Sequence, residues 1–215
     1  MSTLLYHLVK EPKVILDKNP VLILLHGFGS NEEDLFSFAS ELPDHYYIIS
    51  ARAPKSLAPY GYAWFDIQFD MYGNKTTNDA EALEAKQMVI DFIDEMVAKY
   101  PIDPKNVNLI GFSQGAILSY AIALTQPEKV NKIVALSGYF KKELLDTYLA
   151  KDAYAHLEFF VSHGTVDQVI SIEDARKIPG ILNELDIKNE YHEYPVGHGV
   201  APQNFYDFKN FLLRE

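Results

Sequence analysis

The segment Gly111–Gly115 constrains this fold most, and it reads Gly-Phe-Ser-Gln-Gly. A strand-like run at 107–110 leads into it and a helix-like run at 116–121 leads out. A serine on a sharp strand-to-helix turn has its hydroxyl exposed at the end of a sheet, and flanking glycines tolerate the strained backbone of such a turn. The pattern therefore predicts Ser113 as a nucleophile. The alternative is a strand end flanked by glycines whose serine has no catalytic role.

Strand-like and helix-like segments alternate along the chain, which is typical of an α/β fold with one mostly parallel sheet covered by helices on both faces. The 215 residues fit a single domain over 1–215, without a repeat, a linker or a large inserted cap domain. An antiparallel pair at 4–9 and 13–16 is expected to open the chain. Further strands are predicted at 21–25, 46–51, 106–110, 131–136, 157–162 and 188–194. Helices are predicted at 31–40, 79–99, 114–125, 171–185 and 202–213.

A serine nucleophile needs a base, and in this architecture the chain order is serine, acid, histidine. His198 fits the base because it lies in a turn-rich segment between a predicted strand and the last predicted helix. His192 alternates within the strand pattern and His156 precedes a strand, so both are interpreted as surface or packing residues. His163 is expected to hydrogen-bond the turn that carries the acid.

The acid is expected in the loop after the strand at 157–162, where Asp167 lies. Aspartates also end strands and cap helices, and that is the alternative interpretation of Asp167. Asp152 is the next candidate should Asp167 prove dispensable. Ser171, with Asp174 three positions on, is predicted to cap the helix that follows.

Acyl transfer also needs donors for the developing oxyanion. One donor is expected from the backbone N–H of Gln114, directly after the nucleophile. The second is expected from the N–H of Phe28, in the loop that follows the strand at 21–25. Ser30 and Glu33 have the spacing of a capping box for the next helix. A phosphate-binding loop is the competing interpretation, but 26–29 lacks the glycine spacing and the Gly-Lys-Ser/Thr ending.

Seven segments occur in a fixed order along the chain: HGFGSNEEDL (26–35), ARAP (51–54), WFD (64–66), GFSQGA (111–116), LSG (136–138), HGTVDQVI (163–170) and GHGV (197–200). Together they resemble the phospholipase/carboxylesterase family of small α/β-hydrolases, over about residues 19–213. The resemblance implies an α/β-hydrolase fold and esterase chemistry with Ser113 as nucleophile, Asp167 as acid and His198 as base, and Phe28 and Gln114 as oxyanion donors. The early loop is closer to the compact bacterial carboxylesterase branch than to acyl-protein thioesterases. Pro179-Gly180 is expected to interrupt the helix after the acid, a second departure from the thioesterases.

The stretch 52–77 has no clear periodicity and is rich in aromatic residues, which favours either a packed surface loop or a wall over the substrate. Trp64 and Phe65 are the favoured wall residues, with Phe140 and Val169 from later loops. Without a large cap, the site is expected to be open and to suit small or flexible acyl groups. The aromatic side chains around 60–72 are equally compatible with a homodimer interface. The aromatic residues in question are Tyr60, Tyr62, Trp64, Phe65, Phe69 and Tyr72.

Composition excludes several classes of function. A net charge of −11 disfavours nucleic acid and anionic membranes as partners, and the chain has no cysteine for disulfides or thiolate metal sites. No signal peptide or membrane-spanning stretch is recognised, so a cytoplasmic protein acting on a small-molecule ester is expected. No cofactor is implied. His26, His163 and His198 end strands but lack metal-binding spacing, so no metal is expected.

Two other hypotheses stay open. The first is a non-catalytic protein of the same fold that binds a ligand or a partner, because fold does not fix function. A binding protein has no need for nucleophile, acid, base and oxyanion loop together, which favours the enzyme. The second is a peptidase, a lactonase or a dienelactone-type enzyme. Only an assay separates ester from amide cleavage.

Overall fold

The computed structural model describes residues 5–69, 71, 75–145 and 148–214. Leu4 and Tyr72, two residues of the predicted opening strand and aromatic stretch, lie outside the described residues. The strands of this described part are β1 (His7–Lys10), β2 (Asn19–Leu25), β3 (Tyr47–Ala51), β4 (Lys55–Ser56), β5 (Tyr62–Ala63), β6 (Ile67–Phe69), β7 (Lys75–Thr77), β8 (Ile102–Phe112), β9 (Lys132–Leu136), β10 (Glu158–Gly164) and β11 (Lys188–Tyr194). Seven of them form the main sheet, in the order β1-β3-β2-β8-β9-β10-β11. Among these seven described strands, only β1 runs antiparallel to its neighbour.

Helices cover both faces of this sheet, as the alternation of segments predicts. They are α1 (Glu33–Phe36), α2 (Asp79–Lys99), α3 (Gln114–Thr125), α4 (Ile172–Glu184) and α5 (Pro202–Leu212). Successive residues of a strand point to opposite faces, so β2 contributes to two apolar layers. Ile23 packs in the layer with α2, α3 and α4, whereas Leu24 packs in the layer with α1 and α5. Burial on both faces explains why β2 is an almost unbroken apolar run.

The strand register brings the carboxyl ends of the central strands to one edge of the sheet. Leu25 of β2 pairs with Gly111 of β8, and Gly111 pairs with Ala135 of β9. Leu136 of β9 pairs with Ser162 of β10. Loops that leave these ends therefore meet, which is where open α/β sheets place their ligands. None of the described helices is both long enough and apolar enough to cross a bilayer.

The predicted opening pair and first helix are wrong in detail. β1 pairs with β3 and not with 13–16, because the amides of Lys13 and Val14 donate to the carbonyl oxygen of Asp44. α1 is shorter than 31–40, since hydrogen bonds between residues three apart replace the α-helical pattern after Phe36. The amide of Glu33 is capped by the side chain of Asn31, at 2.8 Å, in place of the predicted Ser30–Glu33 box.

The predicted interruption at Pro179-Gly180 is also wrong, because α4 continues through both residues. A proline inside a helix costs about 3 kcal/mol. Burial of Ile178 and Leu182 on the sheet-facing side contributes about 1.5–3 kcal/mol each and offsets that cost. Ser171 caps α4 as predicted, but its hydroxyl accepts from the amide of Glu173 (3.2 Å) and Asp174 takes no part in a capping box.

Candidate active site

Ser113 lies on the turn between β8 and α3, as the sequence predicts. Its φ of 53° is in the region that residues with a Cβ rarely adopt, so the turn is strained. Gly115 has no room for a side chain, because a Cβ there would lie 1.9 Å from the carbonyl oxygen of Leu25. The close contact between α3 and the end of β2 therefore requires glycine, and it fixes the direction in which Ser113 leaves the strand.

The structure brings Ser113, His198 and Asp167 together in one chain of hydrogen bonds. His198 Nε2 lies 3.0 Å from Ser113 Oγ, and His198 Nδ1 lies 2.7 Å from Asp167 Oδ2. A carboxylate only accepts, so Nδ1 carries the proton and donates it to Asp167, which leaves Nε2 free to accept from the serine hydroxyl. Asp152 lies exposed in a short 3₁₀ helix (Lys151–Tyr154) and makes no such contact within the described residues.

Asp167 is held in its ionised form by the loop that carries it. Its Oδ1 accepts from the backbone amides of Val169 (2.8 Å) and Ile170 (3.0 Å). Burial, the largest single influence, raises the pKa of Asp167, but the donors Ile170, His198 and Val169 together outweigh it and leave the pKa below its ordinary value. The carboxylate that contacts His198 is therefore negatively charged near neutral pH.

His163 is fully buried beneath Asp167. Its Nε2 lies 3.0 Å from the carbonyl oxygen of Ile170 and 3.3 Å from Asp167 Oδ2. Both partners are acceptors, so Nε2 carries a proton. Nδ1 has no hydrogen-bond partner among the described residues. This agrees with the expected bond between His163 and the acid-bearing turn, and the second contact, to the carboxylate itself, is one that the sequence pattern does not specify.

Of the two predicted oxyanion donors, Gln114 follows Ser113 directly and Phe28 lies in a loop that passes close to Ser113. Gly27, directly before Phe28, lies so close that a Cβ on it would be 3.2 Å from the Ser113 Cβ. Gln114 begins α3, whose N-terminus adds a positive partial charge. Within the part of the chain that the structure describes, neither amide has a protein acceptor. Neither N–H group is therefore used in a backbone hydrogen bond of the described fold.

The side chain of Gln114 has a role that sequence reasoning missed. Its Oε1 accepts from the backbone amide of Trp64 (3.1 Å), and its Nε2 donates to the carbonyl oxygen of Phe65 (2.8 Å). The only sequence signal is a carboxamide at the first position of a helix that is buried on all sides. The side chain therefore connects the nucleophile turn to the aromatic stretch, 50 residues away in sequence.

Trp64 and Phe65 do not form the expected pocket wall. They are 1% and 0% exposed, so substrate cannot reach them in this structure. Trp64 instead donates from Nε1 to the carbonyl oxygen of His26 (2.9 Å) and supports the loop of Phe28 from below. These rings are buried because a large apolar side chain contributes more to stability in the core than at a surface in contact with water.

Val169 and Phe140 lie in different settings. Val169 is half exposed and lines a cavity of about 620 Å³ that also borders Tyr139 and Lys141. Phe140 is half-buried with its ring centre 6.1 Å from that of Tyr120, and it is not part of the cavity lining. Of the four predicted substrate contacts, the structure thus places only Val169 at this cavity.

A second missed feature is an ion pair beneath the Phe28 loop. Arg52 donates from Nε and Nη2 to the two carboxylate oxygens of buried Glu32, at 2.6 and 2.5 Å. The guanidinium also lies over the rings of Tyr6 (4.1 Å) and Tyr62 (4.6 Å). The Arg52 hydrogen bond lowers the pKa of Glu32, so the pair is charged at neutral pH. Its geometry fixes where the Phe28 loop meets β3.

His26 is occupied by the backbone. Its Nδ1 contacts the carbonyl oxygen of Gly27 (2.8 Å), and its Nε2 accepts from the amide of Ala53 (3.0 Å). Burial lowers the pKa of His26, which agrees with a neutral ring in this arrangement. Among the described residues, no three histidine or acidic side chains come together as a metal site.

Comparison with known proteins gives consistent matches. A family model described as Phospholipase/Carboxylesterase matches residues 9–214. "Acyl-protein thioesterase 1" of Kluyveromyces lactis is 38% identical over 90% of this chain and 91% of that protein. "Acyl-protein thioesterase 1" of Debaryomyces hansenii is 30% identical over 69% of this chain. "Probable carboxylesterase Os04g0669500" of Oryza sativa is 28% identical over 70% of this chain. The matches span just 65% of the Debaryomyces protein and 57% of the rice protein.

The fold has close counterparts among solved structures. A Bacillus cereus carboxylesterase superposes with a TM-score of 0.80 at 19% identity, over 97% of this chain and 93% of that one. At this level of identity the likeness shows the fold alone. The α/β-hydrolase architecture expected from the sequence is therefore confirmed.

Proposed function

Because the chain belongs to the phospholipase/carboxylesterase family, we propose that it is a serine hydrolase that cleaves carboxylic esters through Ser113, His198 and Asp167. The observation that carries the proposal is the chain of two hydrogen bonds, of 3.0 and 2.7 Å, that joins these three side chains. They come from three separate loops at one edge of the sheet. Thioesters are the second substrate class, since they undergo the same acyl transfer.

In the proposed reaction, His198 Nε2 takes the Ser113 proton as Oγ attacks the ester carbonyl carbon. The backbone N–H groups of Phe28 and Gln114 then bind the oxyanion of the tetrahedral intermediate. When the intermediate collapses, His198 returns the proton to the departing alcohol or thiol, and the acyl group remains on Ser113. Water activated by His198 then attacks the acyl-enzyme, and the acid product leaves.

Asp167 supports both halves of this cycle. The ionised carboxylate keeps the proton on His198 Nδ1 and stabilises the imidazolium that forms when Nε2 accepts the serine proton. The amides of Val169 and Ile170 fix the carboxylate, so the imidazole keeps one orientation. Short to medium acyl groups are the proposed substrates. The cytoplasmic location and the homodimer stay predictions.

The test is hydrolysis of p-nitrophenyl esters of increasing acyl length by the wild-type protein and by Ser113→Ala, with circular dichroism as a check of folding. We expect turnover that peaks at short chains and disappears in the variant. Labelling with a fluorophosphonate, which reacts with activated serines, should modify Ser113 and no other residue. Turnover that persists in folded Ser113→Ala would contradict the assignment. A folded wild-type protein with neither turnover nor labelling would favour the non-catalytic alternative.

A further inference from the structure

His163 lies near the end of β10, beneath the acid loop, and the proposed reaction does not use it directly. Its side chain and that of Asp167 are both fully shielded from water. β10 pairs with β9 on one side and with β11 on the other, where His163 is opposite Glu193. The imidazole is therefore attached to the sheet, whereas Asp167 is carried by a loop (165–171) without a helix or strand of its own.

The ring of His163 contacts the acid loop at two points. Its Nε2 lies 3.0 Å from the carbonyl oxygen of Ile170 and 3.3 Å from Asp167 Oδ2. Both partners only accept, so Nε2 carries a proton. The shorter contact is a hydrogen bond, and the longer one brings the same N–H group close to the carboxylate oxygen that binds His198 Nδ1. An N–H group fixed to the sheet therefore lies against the acid of the hydrogen-bonded chain.

Ile170 connects His163 to the other carboxylate oxygen. Its carbonyl oxygen accepts from His163, and its backbone amide donates to Asp167 Oδ1 at 3.0 Å. Ile170 is itself buried. Asp167 is thus held at Oδ1 by a residue that His163 fixes, and it is contacted at Oδ2 by His163 directly. A carboxylate held at both oxygens cannot rotate about its Cβ–Cγ bond without losing one of these contacts.

The part of the loop that His163 holds is the part that holds the carboxylate. Two backbone hydrogen bonds join residues 165 and 166 to the segment 194–196. The amides that donate to Asp167 come from 169–170, further along the loop, and His163 joins this part to β10. A shift there would move the carboxylate and, with it, the imidazole of His198. A displacement of about 1 Å at such a site can cost about 10²-fold in rate.

We propose that His163 is a positioning residue for the proposed acyl transfer: its Nε2–H group keeps the carboxylate of Asp167 in line with His198. The inference rests on the proposed function, because the orientation of His198 affects the rate only if Ser113 is the nucleophile. His163 is fully buried and acts through Asp167, so its loss should slow the reaction without removing a contact to the substrate.

Two carboxamide substitutions test the proposal. The amide nitrogen of glutamine reaches about as far from Cα as histidine Nε2, whereas that of asparagine is one methylene shorter. We expect His163→Asn to lower kcat/KM for p-nitrophenyl acetate and the rate of fluorophosphonate labelling of Ser113, each by about 10–100-fold. His163→Gln should keep both rates within about threefold of wild type. His163→Leu, which has no donor, replaces His163→Asn in this comparison should the latter not fold.

His156 supplies a matched control at the opposite end of β10. Its Nε2 also contacts two backbone carbonyl oxygens, those of Pro127 (2.9 Å) and Val130 (3.2 Å). The seven residues of β10 separate it from His163 by about 20 Å. His156→Asn therefore removes a similar set of contacts far from Asp167, and it should leave both rates within about twofold of wild type even where it lowers Tm.

Proton NMR gives a readout that a purely structural role would not change. The proton in a short hydrogen bond to a carboxylate resonates far downfield, and the 2.7 Å bond between His198 and Asp167 should give such a resonance. Its absence in Asp167→Asn assigns it. In His163→Asn the resonance should move upfield or broaden as the bond lengthens, whereas His163→Gln and His156→Asn should leave it in place.

The possible outcomes distinguish this proposal from the proposed function. A folded His163→Asn or His163→Leu with rates within about twofold of wild type overturns the positioning role. So does a folded His163→Gln that loses as much activity as they do, or a slow variant with an unchanged resonance. In each case Ser113-dependent hydrolysis by the wild-type protein leaves the proposed function intact. A folded wild-type protein with neither turnover nor labelling overturns the proposed function itself, and circular dichroism on each variant checks the fold.

Discussion

Gln114 has two roles that a substitution can separate. Its backbone N–H is a proposed oxyanion donor, and its side chain hydrogen-bonds the backbone of the aromatic stretch at Trp64 and Phe65. Gln114→Ala keeps the backbone N–H and removes the side-chain hydrogen bonds. It leaves the amide of Trp64 and the carbonyl oxygen of Phe65 without their partners, and both residues are essentially inaccessible to water. The variant should therefore affect stability more than catalysis.

The size of the effect follows from the two orphaned groups. A buried polar group that loses its partner costs about 1–3 kcal/mol, so the pair should lower the free energy of unfolding by roughly 2–6 kcal/mol. For a chain of this length, each kcal/mol lowers Tm by about 2–4 °C. The expected change in Tm is thus a decrease of roughly 4–24 °C. Loss of an oxyanion donor would instead lower kcat by about 10²–10³.

Thermal unfolding and p-nitrophenyl acetate hydrolysis, measured on the same preparations, test this reasoning. We expect a lower Tm with kcat within about tenfold of wild type at a temperature where the variant is folded. Gln87→Ala is the matched control, because Gln87 donates to Asp91 on the exposed face of α2 and its loss should cost less than about 0.5 kcal/mol. A Tm unchanged within about 2 °C, or a kcat reduced by more than 100-fold without a change in Tm, would refute the reasoning.

Three more predictions concern neighbouring residues. Asp167→Asn should reduce kcat by about 10⁴, because the His198 imidazole loses the carboxylate that orients it. The control Asp152→Asn, at an exposed position, should leave kcat unchanged. Comparable losses of kcat for the two variants in steady-state assays would exclude Asp167 as the acid. The pKa of Asp167 is depressed on folding, so its ionised form stabilises the protein above about pH 4, and this contribution is lost as the pH falls. Urea unfolding from pH 7 to pH 3 should therefore show the stability advantage of wild type over Asp167→Asn shrinking, and a constant advantage would contradict the sign. Gly115→Ala should lower the free energy of unfolding by about 3 kcal/mol or more, because the new Cβ would meet the Leu25 carbonyl oxygen. Gly180→Ala is the control: its Cβ would have free space, so this variant should be slightly more stable than wild type. Equal Tm values for the two variants would show that the turn at Ser113 relaxes without cost.

The three catalytic candidates could be located from sequence because each depends on local order. Ser113 follows from a strand-like run, a glycine-flanked turn and a helix-like run, all between residues 107 and 121. Asp167 and His198 each follow a strand that the pattern also predicts, and parallel strands bring such loops to the same edge of the sheet. Topology thus supplies the convergence, and the distances between Ser113, His198 and Asp167 are what the structure adds.

The supporting residues could not be located in this way, because their partners are distant in sequence and carry no local signal. Arg52 meets Glu32 across two strands, and Gln114 meets the backbone of residues 64 and 65. Trp64 is an example in which the residue type suggested the wrong role. Its large aromatic ring and its place in the sequence suit a pocket wall, but its packing in the folded chain buries it. Where a side chain finds its partner across the fold, amino-acid type indicates what it can bind but not which group it binds.

The loop of Asp167 (165–171) and the loop of His198 (195–201) are in close contact, and this contact positions the two side chains. A Cβ on Gly164 would lie 2.3 Å from the carbonyl oxygen of Gly197, directly before His198, so the two loops touch backbone to backbone. The amide of Thr165 also donates to the carbonyl oxygen of Tyr194 at 2.8 Å. Neither loop has a helix or strand of its own to hold His198 in line with Ser113. The 2.7 Å bond between Asp167 and His198 therefore depends on this contact, and a side chain at residue 164 should reduce kcat without touching the substrate.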